Sequence, residues 1–375
     1  MKVILREKIK ESVLKAIPFD EYMSLCLYHH EKGYYSRKKE KIGRKGDFYT
    51  SSSVSHIFSE VIASYFCHLV KNQLIEPIFY EFGSGNGRFA YGFLNYCQSK
   101  EPTVFEAMKY IAIEGSTYHR TLIQKKIEDF TCVEIFSSIN SIEYPLNGLI
   151  FSNELFDAMP IKVVEFQLNN WYEVLVGLNE ENELCEKLFL LEDEACIKFL
   201  NNHQFTGNEG LRVEIPIYMH GFHEQLINKC ENAIIVSIDY GNSREEWDEK
   251  HRSKGSLRGF YEHQLIENVL EYPGEMDLTT HIHWDELMKV CESNNGENLY
   301  FGTQREFLIN LGIFNWLVPH ASTNPFSDEY KQNRAVQTFV MPGGMSDSFQ
   351  VLIQSIGLTK DQTTLIKELQ VSLVN

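Results

Sequence analysis

Apolar positions along this chain follow two spacings, and the change between them divides it. From Met1 to about Asn72 they recur at helical intervals: Ile4, Ile9, Val13 and Ile17 are loosely periodic, Phe19-Asp20-Glu21-Tyr22 opens a second helix, and Val54 to Val70 makes a longer one. From Glu76 onward, short apolar runs of strand length alternate with helical stretches. Residues 78–82, 110–114, 132–136, 148–152 and 233–239 are predicted strands, with helices between the early ones. This alternation predicts an α/β fold built on a doubly wound, mostly parallel sheet. Ile161 to Phe166 and Trp171 to Val176 interrupt it as an inserted β-hairpin, followed by irregular chain to about Gly210. Further on, Trp284 to Cys291 and Thr303 to Leu311 are expected as short helices. Ala335 to Val340 and Phe349 to Ser355 are expected as a terminal antiparallel pair. Glu297-Asn298-Leu299-Tyr300-Phe301-Gly302 resembles a tag-cleavage site, but its place inside the pattern makes it native chain.

The first predicted strand breaks into Glu81-Phe82-Gly83-Ser84-Gly85-Asn86-Gly87 and then a helical pattern. Glycines after a strand let the chain turn sharply and let backbone N–H groups approach a ligand with no Cβ in the way. A P-loop is excluded, because Gly87 is followed by Arg88-Phe89 and not by Lys-Ser/Thr. The dinucleotide pattern G-x-G-x-x-G fails by one residue. What remains is acidic-x-G-x-G-x-G, the S-adenosylmethionine loop of Rossmann-like methyltransferases; a plain tight turn is the other reading. Some 30 residues further on, Tyr110-Ile111-Ala112-Ile113 ends in Glu114, a carboxylate at a strand's carboxyl end that suits a ribose diol. Strand, glycine loop, helix, strand and acid together form one βαβ unit for a nucleoside cofactor.

Composition narrows the partners. With 43% hydrophobic and 13% aromatic residues, the chain can fill a globular core. A formal charge of −17 makes nucleic acid a poor partner, and the basic run Arg37-Lys38-Lys39-Glu40-Lys41 to Lys45 is expected to be a solvated loop. Eight scattered cysteines form no C-x-x-C pair, and the dispersed histidines imply no metal. The first fifteen residues lack an apolar h-region and no apolar run reaches membrane-spanning length, so a soluble, cytoplasmic protein with no membrane partner is expected.

The fourth predicted strand runs into Asn153-Glu154-Leu155-Phe156-Asp157-Ala158-Met159-Pro160. In open α/β sheets the carboxyl ends of strands line the ligand crevice, so Asn153, Glu154 and Asp157 are expected beside the cofactor's sulfonium. Two carboxylates there suit a guanidinium or amine nucleophile, which they could pair with and aim. A helix N-terminus capped by Asn153 is the alternative.

Seven blocks in one order, spread over about residues 20 to 355, resemble the MidA family of S-adenosylmethionine-dependent methyltransferases. They are Gly46-Asp47-Phe48-Tyr49-Thr50-Ser51, the glycine loop, the Asn153 to Pro160 block, Ile238-Asp239-Tyr240-Gly241, Gly255-Ser256-Leu257-Arg258, Pro273 to His281, and Thr303-Gln304-Arg305-Glu306-Phe307-Leu308. The resemblance implies a class I fold with a seven-stranded sheet. Its domains would be a helical amino-terminal cap (1–75), a Rossmann-like domain (76–357) with insertions near 161–230, and a helical tail (358–375). Its mitochondrial members methylate an arginine of a respiratory complex I subunit, giving symmetric dimethylarginine. By position, Glu81, Gly83, Gly85, Gly87, Glu114 and Asn153 would hold S-adenosyl-L-methionine, with Gly46, Asp47 and Thr50 closing over it. Asn153, Glu154 and Asp157 would meet the acceptor, and Asp239, Arg258, Asp277 and His281 would shape its pocket. The chain departs from the family at Ser84, where proline is usual, at Arg88, and at Ser52-Ser53. A cationic side chain of a protein is thus the expected acceptor. A small-molecule acceptor, a non-catalytic assembly role and a homodimer are left open.

Overall fold

The computed structural model describes residues 1–37, 56–247, 254–319, 324 and 326–372. Its centre is a seven-stranded sheet. In chain order the strands are β1 (Ile78–Phe82), β2 (Lys109–Ile113), β3 (Val133–Phe136), β4 (Leu146–Asn153), β5 (Cys230–Asp239), β6 (Glu297–Thr303) and β7 (Gln350–Ile356). Across the sheet they run β6-β7-β5-β4-β1-β2-β3. Pairings from β5 through β4, β1 and β2 to β3 are parallel, and β7 is antiparallel to both β5 and β6, so the sheet is mixed.

Both faces of the sheet are covered, which is why its strands read as nearly continuous apolar runs. Side chains alternate across it: Leu149 and Phe151 of β4 and Ile234 and Val236 of β5 enter one core, and Ile150 and Ile235 enter the opposite one. The first core is aromatic. Phe89 lies flat on Phe151 with centroids 4.6 Å apart, and Phe79 meets Phe93 at 4.1 Å. Each such ring, fully buried, contributes on the order of 2–3 kcal/mol. Helices His56–Lys71 and Arg88–Lys100 close this face, and Ile217–Lys229 and Trp284–Ser293 close the other.

The expected terminal pair is differently composed. Residues 335–340 belong to a helix, Asp328–Val340, capped by the Ser327 hydroxyl, with Val336 and Phe339 buried three residues apart. A short apolar run fits a strand and a helix equally by period, and here the cap and spacing decide. The strand beside β7 is β6, the Glu297 to Thr303 segment, with Leu299 buried.

The inserted hairpin is larger than expected. Lys162–Gln167, Asn170–Leu178, Leu184–Leu190 and Arg212–Ile215 form a second sheet with Ala16–Pro18. Lys162–Gln167 pairs with residues 170–174 of the long strand, and Ala16–Pro18 continues that side along residues 175–177. The amino-terminal stretch is therefore shared between two cores. Leu5, Ile9, Phe19, Tyr22 and Met23 pack with Val163, Val174 and Leu278, whereas helix His56–Lys71 packs on the central sheet. A three-stranded sheet, Arg258–Tyr261, Gln264–Ile266 and Asp277–Thr279, lies against that second core. The carboxyl-terminal segment carries a helix, Lys360–Ser372.

Candidate functional site

Every predicted site residue among the described residues except Gly87 and Asp239 lines one cleft of about 1450 Å³, over the carboxyl ends of β1, β2, β4 and β5. Gly46, Asp47 and Thr50 lie outside the described residues.

One end of the cleft is built from main chain. Gly83, Gly85 and Gly87 have φ of 75°, 53° and 73°, left-handed values that turn the chain from β1 into helix Arg88–Lys100. The Gly85 N–H donates to Glu114 Oε2 at 2.9 Å, and the Ser116 N–H donates to Oε1 at 2.8 Å. Both carboxylate oxygens are thereby aimed, and each keeps a lone pair for a ligand hydroxyl. Arg120 donates to the carbonyls of Glu114 and Gly115, and the Ser116 hydroxyl donates to the Tyr35 carbonyl. Ser137 to Asn140, after β3, complete this end. Glu81 lies on the floor; its Oε2 accepts from the Tyr110 hydroxyl at 2.7 Å, and burial pushes its carboxyl up to about 7.

The other end is built from side chains brought from distant segments. Glu154 has φ of 53°, a left-handed value uncommon outside glycine, and its N–H donates to the Ile238 carbonyl. The Asn153 amide donates to Glu154 Oε1 at 2.9 Å, while Asn153 Oδ1 is buried with no partner among the described residues. Asp157, 5% exposed, accepts from the Tyr240 hydroxyl through Oδ2; burial pushes its carboxyl up to about 6. Asp277 Oδ1 accepts from the Tyr35 hydroxyl at 2.8 Å, and Tyr35 stacks on Tyr28 with centroids 5.5 Å apart. Arg258 donates to His281 Nε2, and the Asn242 amide lies 2.9 Å from His281 Nδ1.

Asp239 does not line the pocket expected of it. It is fully buried beneath, where Oδ2 accepts from the N–H of Phe156 at 2.9 Å and of Asp157 at 3.2 Å, and Oδ1 accepts from that of Tyr240. Its carboxyl is pushed well above the usual range, first by burial and then by the charge of Asp157. Tyr28, Tyr35, Ser116 and Tyr240 are lining residues that sequence reasoning assigned no role. Tyr240 stands inside a motif block already singled out; nothing in the local pattern marks the other three. Among the described lining residues, Glu81, Glu114, Glu154, Asp157, Glu246, Asp277 and Asp347 face a single arginine, Arg258.

A glycine turn beside an aimed carboxylate, and beyond it an orphaned amide oxygen and a cluster of acids, fits a nucleoside joined to a cationic sulfonium. The family comparison agrees. The profile of a family described as "putative S-adenosyl-L-methionine-dependent methyltransferase" matches residues 61–301. The chain belongs to that family. S-adenosyl-L-methionine is accordingly its cofactor, and the chain is a methyltransferase. Among curated proteins it is similar to "Protein arginine methyltransferase NDUFAF7, mitochondrial" of Danio rerio, 26% identical over 88% of this chain and 81% of that one. The Caenorhabditis elegans homologue of that protein is 26% identical over 84% of this chain and 76% of its own. Among solved structures, a "likely methyl transferase from Burkholderia thailandensis bound to S-adenosyl-homocysteine" superposes with a TM-score of 0.85, at 24% identity, over 96% of this chain and 92% of that one. That last likeness establishes a shared α/β methyltransferase fold. Among the described residues, no cluster could hold a metal ion and no helix is long and apolar enough to cross a membrane.

Proposed function

We propose that this methyltransferase acts on the guanidinium of a protein arginine. The observation that carries the reading is the placement of Glu154 and Asp157, both in the loop that follows β4 and both lining an acid-rich part of the cleft. The arginine methyltransferase names of the NDUFAF7 relatives support the same acceptor.

The cofactor supplies a methyl group on a positively charged sulfur. Glu114 would hold its ribose through the free lone pairs of an already oriented carboxylate, and the glycine turn would admit it closely. Glu154 and Asp157 would pair with the acceptor's guanidinium and localise its charge, so that the nitrogen aimed at the methyl could take it as its bond to sulfur breaks and give up its own proton to one of the two carboxylates. Charged hydrogen bonds of this kind orient as well as attract, and alignment can lower a displacement barrier by several kcal/mol. Tyr28 and Tyr35 would wall the entrance with stacked rings suited to a planar cation. Symmetric dimethylarginine, implied by the family resemblance, is the product proposed.

The test uses labelled S-adenosylmethionine, a cell extract as acceptor source, and mass spectrometry of labelled peptides. Label on protein arginine is expected; label on a metabolite alone would sink the reading. Glu154→Gln should bind the cofactor within about threefold of wild type while transfer falls by about a thousandfold. Undiminished transfer by that variant would remove Glu154 from the mechanism.

A further inference from the structure

The acceptor end poses a mechanical problem. Asp157 sits on a loop, not on a strand or helix, so neither its backbone nor its carboxylate direction is set by regular structure. Its orientation comes from the last residue of the neighbouring strand β5 and the residue that follows it. The dipeptide Asp239-Tyr240 ties this loop three times: Asp239 Oδ2 accepts the N–H groups of Phe156 and Asp157, and the Tyr240 hydroxyl donates to Asp157 Oδ2. Tyr240 is itself immobilised. Its N–H donates to Asp239 Oδ1 at 2.9 Å, its ring meets Phe349 edge-on at 5.5 Å and His281 at 5.6 Å, and the Arg258 guanidinium carbon lies 5.6 Å from its centroid.

We propose that Tyr240 is a positioning residue for methyl transfer, its hydroxyl fixing Asp157 as a charged carboxylate directed at the acceptor. This rests on the reading that Asp157 meets that acceptor. The groups facing Asp157 come from several segments, including Tyr35 in the short helix Tyr34–Ser36. Asp239 ends β5 and Tyr240 follows it, Arg258 comes from the three-stranded sheet, and Tyr28 from the amino-terminal helix Phe19–Tyr28, while Glu154 of the same loop acts on Asp239. Burial drives Asp157 toward protonation, and the Tyr240 hydroxyl, the Ala158 N–H and the Arg258 charge oppose it. A protonated Asp157 cannot pair with a guanidinium. The phenol therefore supports both the direction and the charge of the group it touches, while a purely structural contact would support neither.

Tyr240→Phe removes one oxygen and keeps the ring. The cofactor-loaded protein is assayed with labelled S-adenosylmethionine on a pool of arginine-containing peptides from pH 5 to 9, and the Asp157 carboxyl is titrated by ¹³C NMR, assigned with Asp157→Asn. Tyr240→Phe is expected to bind the cofactor within about threefold and to lose about tenfold in rate at pH 5 but only about twofold at pH 7. It should recover at higher pH, with the acid limb and the Asp157 midpoint both raised by about one pH unit. Replacing tyrosines by 3-fluorotyrosine, whose phenol is a stronger donor, should lower the midpoint and serves should the phenylalanine variant fold poorly. An unmoved midpoint in both proteins, or an equal loss at every pH, overturns the assignment. Full transfer by Asp157→Asn would instead overturn the role of Asp157, an outcome that the NMR titration does not share.

Discussion

The two ends of the cleft hold their carboxylates by opposite means. At the cofactor end, Glu114 is gripped by two backbone N–H groups, from a glycine turn and a helix start within 31 residues of each other. At the proposed acceptor end, Asp157 and Asp277 are tied to tyrosine hydroxyls, from Tyr240 just past β5 and from Tyr35 in the first 37 residues. Backbone scaffolding tolerates side-chain change nearby and fails when a glycine is lost. Side-chain scaffolding behaves the other way round. A cofactor common to a whole family suits the first, and an acceptor that each enzyme must select suits the second.

The largest effect should come from the main chain. At Gly87 the φ of 73° is unfavourable for any β-branched residue, and an added Cβ would lie 3.1 Å from the Ile123 Cα. Gly87→Val is expected to cost about 3–4 kcal/mol of stability in denaturant titration and to abolish cofactor binding. Normal binding by this variant would show that the turn is not the scaffold.

Next comes the held carboxylate. Glu114→Gln keeps the size but has only one acceptor oxygen, leaving one of the two N–H donors and one ligand hydroxyl unanswered. Calorimetry should show cofactor binding weakened about a hundredfold, near 3 kcal/mol, with Asp157→Asn within a few-fold of wild type. Equal losses in the two variants would erase the distinction between the ends.

The smallest effect is on the floor. Burial raises Glu81 from the usual carboxyl range to about 7, so the folded state binds its proton more tightly than the unfolded chain does. The stabilisation is fully present below the unfolded value and is lost as pH rises through about 7. Glu81→Gln should therefore flatten the decline in thermal stability between pH 5 and pH 8 by about 2 kcal/mol. A wild-type protein equally stable at both pH values would show that Glu81 does not titrate as its burial requires.

This division also explains what could be read in advance. Strand, glycine turn, helix, strand and acid lie within one βαβ unit, so spacing alone exposes Gly83, Gly85, Gly87 and Glu114; the Asn153 to Asp157 block is equally compact. By contrast, Tyr28 reaches the Ala158 carbonyl across 130 residues, and Tyr35 reaches Asp277 across 242. No local period encodes either contact. Asp239 reads as one more strand-end acid, and only three converging N–H groups reveal it as a clamp below the pocket. The second sheet is obscured in the same way, because its Ala16–Pro18 edge pairs with residues 175–177. β6 escaped because its exposed and half-buried positions give a weak alternation, and Asp328–Val340 because its apolar run was short.

Glu154 stands in a backbone conformation that glycine would adopt with less effort. Screening variants of this enzyme for heat resistance alone would therefore favour losing the side chain there. With Glu154 in the acceptor role proposed above, the hardier proteins recovered would be the inert ones, so any such screen must read turnover alongside survival.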